Sequence, residues 1–284
     1  MTGGCSVRRG LCLALGFFVF SLSGPFAEGA VLYVTQKGAG VRNGLSWANA
    51  CGEARFPVVL SEARAGTEFW IAKGRYRPDT QGRVDRSFVL PPRVALYGGF
   101  SGFENSVEQR NPEINVTVLT GDLGLDDTVN SKGVTEKFEN IKGENSLTVL
   151  KCTGDPAAAV PPERYQALID GLVITAGKRG SDYSPGGLEI ENTEVIVSRC
   201  SFFGNAGNYG GGISSESATI RINECTFYGN TAFYGGGISC SNTTSRIAGC
   251  SFTSNYSSTD GGAINNGMGE MIVDDCYFGS NTCA

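Results

Sequence analysis

The chain has no histidine among its 284 residues, only two tryptophans and three methionines, and charged side chains make up just 18% of it. The missing histidine removes every mechanism that relies on an imidazole base. Together with the absence of any Cys-x-x-Cys pair, it also leaves no zinc ligand set. No basic block occurs and the net charge is −5, which argues against nucleic acid and against nonspecific attraction to anionic membranes. After the N-terminal leader no apolar run reaches the ~20 residues a membrane helix needs, so no transmembrane segment is expected in the mature chain. No segment carries a sustained 3.6-residue apolar period, and the leucine framework of a leucine-rich repeat is missing.

What the chain does have is a phrase repeated four times near its end: Cys200-Ser-Phe-Phe-Gly-Asn205, Cys225-Thr-Phe-Tyr-Gly-Asn230, Cys250-Ser-Phe-Thr-Ser-Asn255 and Cys276-Tyr-Phe-Gly-Ser-Asn281. The spacings are 225 − 200 = 25, 250 − 225 = 25 and 276 − 250 = 26. A glycine phrase keeps the same beat: Gly186-Gly-Leu188, Gly211-Gly-Ile213, Gly236-Gly-Ile238 and Gly261-Gly-Ala-Ile264. So does a third, apolar segment: Glu194-Val-Ile-Val197, Thr219-Ile-Arg-Ile222, Ser245-Arg-Ile247 and Glu270-Met-Ile-Val273. Three short β-rich runs per coil, each bounded by turn residues, predict an all-β fold: a right-handed, single-stranded parallel β-helix in which each coil buries its apolar residues by stacking on its neighbours.

Period-two alternation assigns the faces. Cys200 with Phe202, Cys225 with Phe227, Cys250 with Phe252 and Cys276 with Phe278 point inward as two ladders, joined by Val197, Ile222, Ile247 and Val273. Eight cysteines remain after export, but parallel in-register neighbours stand about 4.8 Å apart, wider than the ~3.8 Å between the Cβ atoms of a disulfide. Cys200, Cys225, Cys250 and Cys276 are therefore expected as buried thiols. Asn205, Asn230, Asn255 and Asn281 fall where the chain leaves a strand and are expected to stack as an amide ladder, with Asn taking the left-handed backbone conformation. The paired glycines are expected at the opposite corner, where no Cβ fits.

Residues 1–30 read as a secretory signal: Arg8-Arg9, an apolar run from Leu11 to Leu22, and cleavage between Ser23 and Ala30. An exported protein, extracellular or at the outer-membrane surface, follows as an expectation. The remainder, 31–284, reads as one β-helix domain, with a cap and irregular coils over 31–167 and regular repeats over 168–284. Helical character over Ser46–Ala63, opening on a Ser46 cap and interrupted by Pro57, predicts a helix covering the N-terminal end. The polar stretch from Gly121 to Glu144 is expected to leave the helix body as a long solvated loop. The chain stops straight after the fourth Phe-x-x-Asn, so the last coil is expected to lack a cap.

The pairing of Phe-x-x-Asn with Gly-Gly-Ala-Ile, at Phe202 to Asn205 and its successors and at Gly261 to Ile264, resembles the repeats of chlamydial polymorphic outer membrane proteins. The upstream phrases Asn43-Gly-Leu-Ser-Trp-Ala-Asn-Ala50, Phe69-Trp-Ile-Ala-Lys-Gly-Arg-Tyr-Arg-Pro78 and Val94-Ala-Leu-Tyr-Gly-Gly-Phe100 resemble a wider group of exported bacterial β-helix proteins related in fold to pectate lyases. The resemblance to the polymorphic proteins implies surface display and adhesion to host or neighbouring cells; for this chain a noncatalytic adhesion module is expected, whose partner is a polysaccharide or a protein on a host or neighbouring cell. Because no membrane barrel follows the repeats in this sequence, autotransport of the kind the polymorphic proteins use is not expected.

Two sets of residues carry the functional expectations. Outward aromatics one period apart, Phe203 with Tyr228 and Tyr209 with Tyr234, offer a platform for sugar rings or a protein partner, with Phe233 beside them. The competing class is a carbohydrate-active enzyme, a polysaccharide lyase or glycoside hydrolase. For it the sequence offers Asp122, Asp126 and Asp127 as calcium candidates, Asp170 beside a strand, and Lys178-Arg179 as bases, though polygalacturonase-like phrases are absent. No other cofactor is indicated. The blander reading of these carboxylates is loop solvation for the first three and a turn for Asp170.

Overall fold

A computed structural model describes Met1 and residues 29–154, 166–180 and 184–284. Most of the export signal expected over 1–30 lies outside the described residues. From Val31 onward the chain winds about eight parallel turns, right-handed as parallel crossovers are. Among the described residues the first face has eight strands, from Val31–Val34 through Glu194–Ser198 to Met271–Asp274. The second has seven, from Gly74–Tyr76 through Ser201–Phe203 to Tyr277–Gly279, and the third has six, from Phe88–Val89 through Leu188–Glu191 to Ile264–Asn266. A fourth strip of three strands, Thr231–Tyr234, Tyr256–Asp260 and Thr282–Cys283, lies between the second and third faces in the last turns. Three strands per coil is therefore right for the early turns and one short of the late ones.

The 25-residue period sets the register. Phe202 pairs with Phe227, Phe227 with Phe252 and Phe252 with Phe278, while Val197, Ile222, Ile247 and Val273 pair in the same way on the first face. Because parallel strands repeat every ~4.8 Å, the phenyl rings are held face on face, with centroids 4.9, 4.7 and 5.0 Å apart and planes within 6°. The cysteines form the adjacent column. Cys200, Cys225 and Cys250 are buried and unbridged. The amides of Cys225 and Cys250 donate to the sulfur of the next coil at 3.4 Å.

The N-terminal end is closed more economically than expected. Only a 3-10 turn at Trp47–Asn49 and helix α1, Phe56–Ser61, form within 46–63. Pro57 does not break α1; it lies in its first turn, where its missing N–H is not needed. Phe56 meets one ring from each face, Phe69 at 5.7 Å, Tyr76 at 6.1 Å and Phe88 at 5.2 Å, and so plugs the core.

Each corner uses a left-handed residue, and at the corner after the second face this residue is not the asparagine. It is the one before it: Gly204, Gly229, Ser254 and Ser280, with φ of 57, 63, 54 and 55°. That turn frees the asparagine side chain to point inward and bond along the stack. Asn205 Nδ2 donates to Asn230 Oδ1 at 3.0 Å, Asn230 Nδ2 to Asn255 Oδ1 at 3.0 Å and Asn255 Nδ2 to Asn281 Oδ1 at 2.9 Å. The backbone amide of each donates to the same acceptor. The second Nδ2 proton goes to a carbonyl of the preceding coil, Ile174, Phe202, Phe227 or Phe252. At the glycine corner coils approach closely: a Cβ on Gly211 would stand 2.4 Å from the Gly236 carbonyl oxygen.

Candidate binding grooves

The segment 121–149 does not leave the helix body. It folds back across the corner after the second face because its polar residues satisfy one another rather than water. Asp122 is fully buried, pairs with Arg75 at 2.8 Å and accepts the amides of Asp126 at 3.1 Å and Asp127 at 3.3 Å. Asp127 accepts from Thr135 Oγ1 at 2.9 Å, the Lys142 amide at 2.7 Å and Asn145 Nδ2 at 3.2 Å. Burial, helped by the Asp122 charge, pushes the Asp127 carboxyl up, against the pull of these hydrogen bonds. Lys178 Nζ ties the loop down through the Gly143 carbonyl at 2.8 Å.

The three carboxylates lie within 4.8 Å of one another, with only Asp126 exposed. As a calcium site the set fits poorly. A hard cation needs converging oxygens with free lone pairs, whereas Asp122 and Asp127 already accept six protein donors, and one of them, Arg75, brings its own positive charge into the cluster. The buried atoms without a protein partner here, Arg75 Nε, Asn145 Oδ1 and Ser146 Oγ, mix donors with acceptors, which suits a buried water better than a cation. The solvated-loop reading of Asp122 and Asp127 is thus corrected: they staple the loop.

From this hub an arm, Thr135–Lys137, crosses the corner. Its Thr135 carbonyl accepts from Thr175 Oγ1 at 2.6 Å. Added Cβ atoms on Gly204 and Gly229 would stand 2.5 Å from the Thr135 oxygen and 2.6 Å from the Glu136 oxygen, so the arm rests on two bare glycines. On one side of the arm a groove of about 950 Å³ opens over the second face. Phe203, Ser201 and Val173 form its floor, Pro112 and Glu113 one wall, and Lys132, Val134 and Glu136 the other.

Arg199 closes one end of this groove and is held by Asp170, at 2.5 Å from its Nη2. Asp170 is not a solvated turn residue. It ends a first-face strand, is 5% exposed, and is also paired at 2.8 Å with Arg110, whose side chain is 4% exposed and lies over the Tyr97 ring. With both oxygens committed to arginines, Asp170 positions Arg199.

The four aromatics do not make one platform. Phe203 and Tyr228 meet edge to face, 6.0 Å between centroids, on the second face. Tyr209 and Tyr234 stack at 5.2 Å beyond the asparagine corner, where the Tyr209–Tyr234 bridge extends the fourth strip. Tyr209 borders a different, smaller pocket of about 320 Å³ on the third face.

That pocket holds three carboxylates the sequence reading passed over. Glu189, Glu191 and Glu216 point outward, Glu191 and Glu216 opposite each other in register. Glu189 pairs with Lys151 at 2.7 Å. Burial first, then the charges of Glu189 and Glu216, push the Glu191 carboxyl up, with Lys151 partly offsetting them. A carboxyl inclined to keep its proton, beside an ion-paired neighbour, is an arrangement acid–base chemistry uses. The in-phase acids at 191 and 216, 25 residues apart, were the available signal.

No protein-family model and no curated protein matches the sequence. Among solved structures, a protein from Parabacteroides merdae ATCC 43184 provisionally described as a glycosyl hydrolase aligns at 13% identity and TM-score 0.42, over 79% of this chain and 86% of that one. Pectate lyase Pel9A aligns at 14% identity and TM-score 0.42, over 86% of this chain and 56% of that one.

Proposed function

We propose that the protein is an exported surface module that holds an extended glycan strand in the groove over the second face, without cleaving it. The observation that carries this reading is the groove itself: about 950 Å³, open along the strand stack, with Phe203 on its floor and loop walls on both sides. Volumes of a few hundred to a thousand Å³ suit small-ligand recognition, and the half-buried Phe203 ring supplies apolar surface for the C–H side of a sugar. Surface display and adhesion extend the resemblance of the repeats. Calcium is not required, because the Asp122 and Asp127 oxygens are committed to protein donors.

The deciding experiment is a glycan-array screen of the mature protein, with calcium and with chelator, followed by titration of the best glycan. Phe203→Ala with Tyr228→Ala is expected to weaken binding about tenfold, close to 1.4 kcal/mol, in both conditions. Tyr209→Ala with Tyr234→Ala is expected to leave it within a factor of two. Undiminished binding by the first double variant would overturn the groove reading.

The third-face carboxylates favour a second reading, glycoside hydrolysis, with Glu191 as the proton donor. A donor with a raised pKa holds its proton to higher pH, so turnover would fall as pH rises through that pKa. Glu191→Gln would remove it. If the wild-type protein releases no reducing ends from a polysaccharide panel at any pH between 4 and 8, this reading is lost.

A further inference from the structure

On the other side of the arm lies a second cleft, about 510 Å³, between the 137–139 turn and the fourth strip. Its chemistry differs from that of the groove. Arg179 and Lys137 face it, and among the described residues no carboxylate is ion-paired with either. The Arg179 guanidinium stands 4.4 Å from the centre of the Phe233 ring. Three rings line the cleft and remain open to solvent, Phe138 at 37%, Phe233 at 42% and Tyr256 at 42% exposure. These rings and cations gather in one concavity of a chain whose net charge is −5.

We infer that this cleft binds a carboxylate-bearing sugar residue of an acidic glycan, a uronate in chemical class. The inference rests on the glycan reading above and adds a site and a substrate class to it. Arg179, stacked on Phe233, presents its guanidinium edge for a two-pronged bond to a carboxylate. Lys137 adds a second charge without fixed geometry. The rings of Phe138, Phe233 and Tyr256 take the apolar face of the pyranose. Glu139 and the hydroxyls of Ser254 and Ser258, also in the lining, accept and donate hydrogen bonds with sugar hydroxyls. An acidic peptide shares the carboxylate but has no use for three ring faces, so the glycan is favoured.

The test is calorimetric titration of the full mature chain with a uronate hexamer and with the same hexamer after its carboxyls are reduced to alcohols. The uronate form is expected to bind at least tenfold tighter at 50 mM salt, with the ratio shrinking as salt is raised. Arg179→Gln and Phe233→Ala, both at exposed side chains, should each collapse that ratio, while Phe203→Ala with Tyr228→Ala should lower both affinities and keep the ratio. Equal affinity for the two hexamers, a ratio untouched by Arg179→Gln, or equal competition by polyglutamate would overturn the proposal. If neither hexamer binds, the proposal also fails, and the groove reading stands only if the array identifies some other glycan.

Discussion

Asn230→Ala is expected to destabilise the protein by about 3–5 kcal/mol, since each buried polar group left without a partner costs about 1–3 kcal/mol. Asn230 is 1% exposed and takes part in the whole local network. Its Oδ1 accepts both the backbone amide and the side-chain amide of Asn205, and its Nδ2 donates to the Phe202 carbonyl and to Asn255 Oδ1. Alanine would strand two donors of Asn205 inside the coil with no route for water. Asn281 accepts the same two donors from Asn255 and donates to the Phe252 carbonyl, but these bonds are only partly buried, so water can take the place of the lost amide and Asn281→Ala is expected to cost less, about 1–2 kcal/mol. Urea denaturation gives the totals. Hydrogen exchange localises them, because a solenoid can open coil by coil. Asn230→Asp supplies a check that packing loss cannot mimic. An ionised aspartate keeps the acceptor but faces the Phe202 and Asn255 oxygens with no proton to offer, so its folded-state pKa is raised. The variant is therefore expected to be most stable at low pH and to lose stability as pH rises through that pKa. A loss below 1 kcal/mol for Asn230→Ala would mean that the ladder is ornamental.

Why the ladders were legible and other features were not comes down to phase. The Cys, Phe and Asn columns recur every 25 or 26 residues and take the same neighbours in every coil, so alternation alone placed Phe202, Phe227 and Phe252 inside. The left-handed residue was misassigned by one position because Asn tolerates that backbone. The repeats themselves hold Gly, Gly, Ser and Ser just before it, and only the geometry shows that those four carry the positive φ. The fourth strip escaped notice because Ala206 to Tyr209, its first member, is mostly small and polar, and contributes two isolated bridges rather than a strand. Residues 121–149 misled for a different reason. Polarity normally marks solvent, but Asp122, Asp127, Thr135 and Asn145 are buried together as a self-satisfied network, which composition alone does not distinguish from a loop. Asp170 misled likewise, since its two arginine partners lie at positions 110 and 199, far away in sequence on both sides. Of the candidate site, Phe203 was identified before folding. The walls around it and the cationic cleft depend on where a non-repeating insertion lands, and no period reports that.

Gly204→Ala combined with Gly229→Ala is expected to release the arm and abolish both binding sites together while leaving the solenoid folded. Ser254 and Ser280 occupy the same corner at φ of 54 and 55°, so a Cβ in this backbone conformation is tolerated where nothing lies above it. The left-handed conformation costs a non-glycine residue roughly 1–2 kcal/mol, which the stacked coils can sustain. At Gly204 and Gly229 the new carbons would meet the Thr135 and Glu136 carbonyl oxygens at 2.5 and 2.6 Å, and backbone oxygens cannot rotate aside as a side chain would. The arm must lift. Its lifting breaks the Thr175-to-Thr135 hydrogen bond and removes Val134 and Glu136 from the groove wall and Lys137 and Phe138 from the cleft. Trypsin cleavage after Lys132 and Lys137 should then accelerate at least tenfold, and affinity for the groove ligand should fall together with collapse of the uronate-to-reduced-hexamer ratio. That joint loss separates the variant from Phe203→Ala with Tyr228→Ala, which spares the uronate ratio, and from Arg179→Gln, which spares the groove. Ser280→Gly, at the equivalent corner two coils beyond the arm and outside both linings, should change neither. An unchanged cleavage rate in the double alanine variant would show that the arm does not rest on these glycines, and the two sites would then need separate explanations.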